Sequence, residues 1–98
     1  MAELRFECDE RKNATNRRKH GVSFEEAQTV FFDEHALLIA DPDHSEREER
    51  FVLLGLGHGL RVLAVCHCYR RRGDVIRIIS ARKANQAERE GYERRWRR

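Results

Sequence analysis

A run of sixteen residues from position 77, Arg-Ile-Ile-Ser-Ala-Arg-Lys-Ala-Asn-Gln-Ala-Glu-Arg-Glu-Gly-Tyr, holds the side chains best suited to chemistry. An apolar strand breaks there into the basic pair Arg82 and Lys83 and restarts as a helix, with Asn85 and Glu88 spaced as an N-cap and its N3 partner. A guanidinium mounted on a strand end has little freedom to lose when it grips a phosphate. The chemistry offered is therefore anion binding; the plainer reading is a solvated strand end. A second basic element precedes it. Lys12, Asn16 and Lys19 line one side of an almost wholly polar helix, with Arg11 and Arg18 alongside. Soft metal ligands are few: Cys8, Cys66, His67 and Cys68 lack zinc-site spacing, and adjacent strand residues point to opposite faces, so no metal and no cofactor is expected.

The elements that must position these residues are legible from pattern. Residues 4–8 alternate apolar and charged, as a short half-buried strand does. Asp9 is placed to cap a helix over 10–20 that Gly21 stops. With Ala14 as its only small apolar residue, that helix is expected on the surface, held by its ends. Ser23 and Glu26 form a capping box, and Phe24, Ala27, Val30 and Phe31 make the core stripe of a second helix ending near Phe32. Residues 36–40, 50–56, 61–69 and 75–82 read as strands joined by short turns, which dictates antiparallel pairing. The one longer connection, residues 41–45, leads into an acidic run. A closing helix from Gln86 puts Glu88, Tyr92 and Trp96 on one side. The predicted fold is α+β in the order β-α-α-β-β-β-β-α: helices on an antiparallel sheet of four strands, or five if the first segment joins.

At 98 residues this is one domain over 1–98, with 38% charged residues and a net charge of +3. Charge is segregated. Residues 23–50 net −7, whereas 61–77 and 82–98 net +4 each, so one end is expected to attract polyanions. No apolar run approaches the ~20 residues of a membrane span. Three cysteines, an odd number, fit a reducing, cytoplasmic setting.

Several segments together resemble the BrnT toxin family. They are residues 18–27 (Arg-Lys-His-Gly-Val-Ser-Phe-Glu-Glu-Ala), the loop from Asp41 to Glu46 leading to Glu48-Glu49-Arg50-Phe51, and residues 77–82 followed by Glu88, Arg89 and Tyr92. Phe6-Glu7-Cys8-Asp9 looks like the family's opening motif, with Cys8 where Trp is usual, a change expected to cost a core contact and not an activity. The resemblance implies a RelE-like fold and a type II toxin–antitoxin ribonuclease that halts translation. It also implies a BrnA-like ribbon-helix-helix antitoxin, joined in a heterotetramer that reaches operator DNA through the antitoxin and represses its own operon.

Cutting RNA without a metal needs a base for the 2′-hydroxyl, cations for the crowded phosphate and an acid for the leaving oxygen. Arg82, Arg50, Arg77 and His20 are the candidate catalytic residues, and Lys19, Lys83, Ser80 and Tyr92 the candidate RNA contacts. An imidazole suits either proton transfer, although His20 also suits a helix C-terminus. Two-residue alternation sets Arg77 on the face opposite Ser80 and Arg82, so the three would share a site only where the strand twists; otherwise Arg77 is structural, paired with Glu49 or Asp33. Tyr92 is placed to stack on a base or to serve as core. A small basic module that binds RNA, DNA or protein without cutting remains the alternative.

Overall fold

Asp9 starts the first helix as its position requires. In the computed structural model, which describes residues 4–40, 49–70 and 73–96, strand β1 (Arg5–Glu7) leads into α1 (Glu10–His20). The Asp9 carboxylate accepts the N–H groups of Arg11 and Lys12 at 2.8 and 3.2 Å. Gly21 closes the helix at φ 69°, a left-handed conformation that costs glycine little. Next come α2 (Phe24–Thr29), a 3-10 turn over Val30–Phe32, β2 (Leu37–Ala40), β3 (Phe51–Leu56), β4 (Val62–Arg70), β5 (Val75–Lys83) and α3 (Gln86–Trp96). The loop and acidic run at residues 41–48, and part of the turn at 70–74, lie outside the described residues.

The sheet has five strands in the order β1-β5-β4-β3-β2. From β2 to β5 it is the expected antiparallel meander. The fifth strand departs from the antiparallel expectation: β1 pairs parallel to β5, Arg5 to Glu7 opposite Val75 to Arg77. The long chain between them, helices included, gives the length a parallel return needs.

One sheet face forms the core. Leu53, Leu63, Val65, Ile78 and Ala81 pack with Val22, Phe24, Ala27 and Val30, and Phe6, Cys8 and Phe31 pack around them. Cys8 packs against the core, and Gln28 Nε2 lies 3.4 Å from its sulfur. Burial, before any charge, pushes the Cys8 thiol up. His67 is fully buried on this face, its Nδ1 3.1 Å from the Val65 carbonyl and its ring edge-on to Phe31. Desolvation holds that imidazole below its usual range.

Half of the expected second capping box differs. Ser23 Oγ accepts the Glu26 N–H at 3.0 Å, but the Glu26 carboxylate turns to Arg61, taking its Nε at 2.9 Å and a terminal nitrogen at 2.7 Å. Two bonds from a guanidinium outweigh the single backbone N–H that the cap would have offered.

The polar helix α1 is held by its middle as well as by its ends, where Arg61 donates to the Gly21 carbonyl at 2.7 Å. Asn16 Nδ2 donates to the carbonyls of Val22 (2.8 Å) and Ala81 (2.7 Å), and its Oδ1 accepts the Ala81 N–H at 3.0 Å. Asn13 Oδ1 accepts the Phe24 N–H at 2.9 Å. Because β1 covers β5 only as far as Arg77, the edge beyond is open, and the Asn16 amide supplies the donor and acceptor of a missing strand.

Candidate functional site

A β-bulge decides which side chains share the second face of the sheet. Cys66 pairs with Ser80 but His67 pairs with Ile78, so Ile79 is left out of the ladder. The extra residue reverses the alternation of β5. Arg77, Ser80 and Arg82 therefore stand opposite Cys68, Cys66 and Ala64, all on one face of the regular strand β4. This corrects the expectation that simple alternation would part Arg77 from Ser80 and Arg82. Lys83, opposite Leu63, belongs to the other side.

The rows continue into β3. Val52 lies beside Cys66, and Phe51 beside His67, so Arg50, one residue earlier, falls in the row of Cys68 and Arg77. Arg50 and Arg77 thus flank Cys68, two strand spacings or roughly 10 Å apart at the backbone. Among the described residues neither has an acidic partner within ion-pair distance, so the proposed pairing of Arg77 with Glu49 or Asp33 is not formed. The Arg50 Nε is buried with no hydrogen-bond partner. A guanidinium nitrogen so placed is costly unless something else completes it.

Arg82 has the opposite surroundings. Its two terminal nitrogens meet the Glu88 carboxylate at 2.7 and 3.0 Å. Glu88 also accepts the Asn85 N–H at 2.9 Å while Asn85 caps Glu88 at 2.8 Å, completing the expected capping box of α3. The bond to Arg82 is the first cause holding the Glu88 carboxyl below its usual range. Arg82 thereby ties the end of β5 to the start of α3.

Helix α3 packs on β3, and Tyr92 is 4% exposed with its hydroxyl donating to Asp33 Oδ2 at 2.5 Å. Burial first, then Asp33, pushes its pKa up to about 12. Burial acts to raise Asp33, but the Leu56 N–H, the Tyr92 hydroxyl and the His35 N–H outweigh it and hold the carboxyl low. Tyr92 is buried with the core, which fits the core reading of its two sequence expectations.

Lys19, His20 and Ser80 do meet. They line a groove of about 330 Å³ between α1 and β5, together with Arg11, Lys12 and Ile79. Ser80 belongs both to this groove and to the second face, so the two are contiguous. No hydrogen bond links His20 to the arginine row among the described residues. The described residues hold no cluster of three or more His, Cys, Asp or Glu suited to a metal.

Three features escaped the sequence reading. The Glu88 fork on Arg82 spans a strand–helix turn that leaves no local pattern. The bulge at Ile79 has no marker such as glycine. Asn13 and Asn16 did carry a signal, being three apart in a charged helix and so on one side of it.

Over residues 8–88 the chain matches the family described as ribonuclease toxin, BrnT, of type II toxin–antitoxin system. The 1.1 Å crystal structure of the Brucella abortus ribonuclease toxin BrnT is similar, with a TM-score of 0.63 and 26% sequence identity over 86% of this chain and 100% of that one. Among curated proteins no match is found.

Proposed function

The chain belongs to the BrnT family of type II toxin–antitoxin ribonuclease toxins, and from that premise we propose that it cuts RNA without a metal on the second face of its sheet. The observation that carries this reading is the row Arg50–Cys68–Arg77, with an Arg50 Nε buried and unpartnered and neither arginine in an ion pair among the described residues. A phosphate drawn between the two guanidiniums completes that nitrogen. The 2′-oxygen then loses its proton and bonds to phosphorus, the bond to the 5′-oxygen breaks, and the leaving oxygen takes a proton. The products are a 2′,3′-cyclic phosphate and a 5′-hydroxyl. The arginines stabilise the charge that builds on the phosphoryl oxygens. His20, the imidazole of the adjoining groove, is the proposed proton-transfer group, and Lys19 and Ser80, which line that groove, are proposed to guide the strand. Arg82 is proposed to act through position, by holding the α3 junction.

RNA cleavage in the cytoplasm would stop translation. The partner we propose is a BrnA-like ribbon-helix-helix antitoxin that covers the basic surface, two copies of each chain forming a complex that binds operator DNA through the antitoxin. The segregation of charge supports an acidic or mixed-charge partner surface there.

RNA incubated with pure protein in EDTA tests the chemistry. Cleavage leaving 2′,3′-cyclic or 3′-phosphate ends is expected; 3′-hydroxyl ends that require magnesium would overturn it. The second reading, RNA held without cutting, has in its favour the absence of a hydrogen bond from His20 to the arginine row. Binding with no cleavage at any protein concentration would select it. Co-purification with the antitoxin should yield a complex that buries more than ~1,000 Å² and no longer cuts.

A further inference from the structure

The groove between α1 and β5 holds one nucleotide by size, and its lining is of two kinds. At about 330 Å³ it lies at the small end of ligand sites. Positions 11, 15 and 19 and positions 12, 16 and 20 are adjacent rows on one side of a helix, so Arg11, Lys12, Lys19 and His20 all face in. Among the described residues, no acidic side chain lines the groove and none of these four is in an ion pair. The Asn16 amide is spent on Val22 and Ala81, so it closes the wall and offers nothing to a ligand. The strand side is different. Ile79, expelled from the ladder by the bulge, presents a half-buried apolar side chain, with the Ser80 hydroxyl beside it. Cationic walls over an apolar floor match a nucleotide's phosphate and its base or ribose.

We propose that this groove is a subsite for the RNA nucleotide next to the two that flank the cut phosphate, with Arg11 and Lys12 on its phosphate and Ile79 beneath its base or ribose. The inference rests on the reading of the second sheet face as the place of cleavage, to which Ser80 connects the groove. RNA would then be recognised by length as well as by charge, because a fragment too short to reach the groove forfeits these contacts.

Binding of 2′-O-methyl oligonucleotides, which cannot be cut through the 2′-oxygen, separates the two sites. Fluorescence anisotropy is read for dimers to hexamers against salt. With Arg11→Ala and Lys12→Ala together, hexamer affinity should drop about tenfold and its salt slope by about 0.7, the share of one phosphate contact on a single strand. Ile79→Ser should weaken hexamers without altering the salt slope. The dimer should register neither change, whereas Arg77→Gln should weaken every length. Equal losses at all lengths from the Arg11 and Lys12 replacements, or no loss at any, would overturn the subsite. An Arg77→Gln protein that binds every length normally would overturn the sheet-face reading instead, a result the groove variants do not share.

Discussion

Arg50 and Arg82 stand on one face of one sheet and live in opposite surroundings. Arg82 spends its fork on Glu88, and that carboxylate is itself fixed by the cap of α3. Among the described residues, nothing receives the buried Nε of Arg50, and Arg77 across the row is in no ion pair either. Residue type and strand-end position made the two equal candidates. Pairing distinguishes them: a guanidinium already matched by a carboxylate builds structure, and an unmatched one is ready for a phosphate.

Arg77→Ala should break the comparison hardest. Removing one preorganised cation from a phosphoryl centre costs about 3 kcal/mol, on the order of 10²-fold in cleavage rate, while thermal unfolding should hardly move. Single-turnover cleavage alongside a melting curve checks both halves.

Asn16→Ala tests the scaffold beneath the comparison. It strands the N–H and C=O of Ala81 and the carbonyl of Val22, all satisfied by that amide. A loss of about 2–3 kcal/mol in urea unfolding is expected, because buried polar groups without partners are expensive. A loss well under 1 kcal/mol would mean that water replaces the amide and α1 is not held by its middle.

Arg82→Ala should fall between structure and function. The pair is partly exposed, with the Arg82 side chain at 44% and Glu88 at 21%, so screening limits its worth to about 1 kcal/mol. Cleavage should slow by less than tenfold, which a rate comparison with Arg77→Ala reads directly.

Acid sharpens the contrast by the smallest amount. Glu26 and Glu88 are both held below the ordinary glutamate value of 4.5, in each case first by an arginine hydrogen bond. A depressed carboxyl stabilises the fold fully above its unfolded value, and that share is lost as pH falls through the folded value. Stability should therefore decline below about pH 4.5, and Arg61→Gln should flatten part of that decline, by about 1 kcal/mol or less. A melting series from pH 6 down to pH 3 shows whether the slope changes.

Much of the fold was legible because it is written locally. Asp9, Ser23 and Asn85 sit where helices begin, Gly21 where one ends, and short turns force the meander. The misses are non-local. Nothing near Arg5–Glu7 says that its partner is β5, seventy residues on. The side chain of Glu26 chose Arg61 over its own cap because the turn after β3 brings that guanidinium close. One unpaired residue, Ile79, reversed the face assignment of Arg77, since a bulge shifts alternation without altering composition. At the site, residue types were readable from the chain, but which arginine carried a partner was not, because pairing is a property of the packed whole.

The most direct test is the cleavage rate of one RNA in EDTA by the unaltered protein and by Arg50→Ala, Arg77→Ala and Arg82→Ala, each corrected for the folded fraction. Losses on the order of 10²-fold at Arg50 and Arg77, with less than tenfold at Arg82, are predicted from their partners. Full activity in Arg50→Ala and Arg77→Ala, with the large loss at Arg82, would contradict the assignment of the unpaired row as the reaction centre.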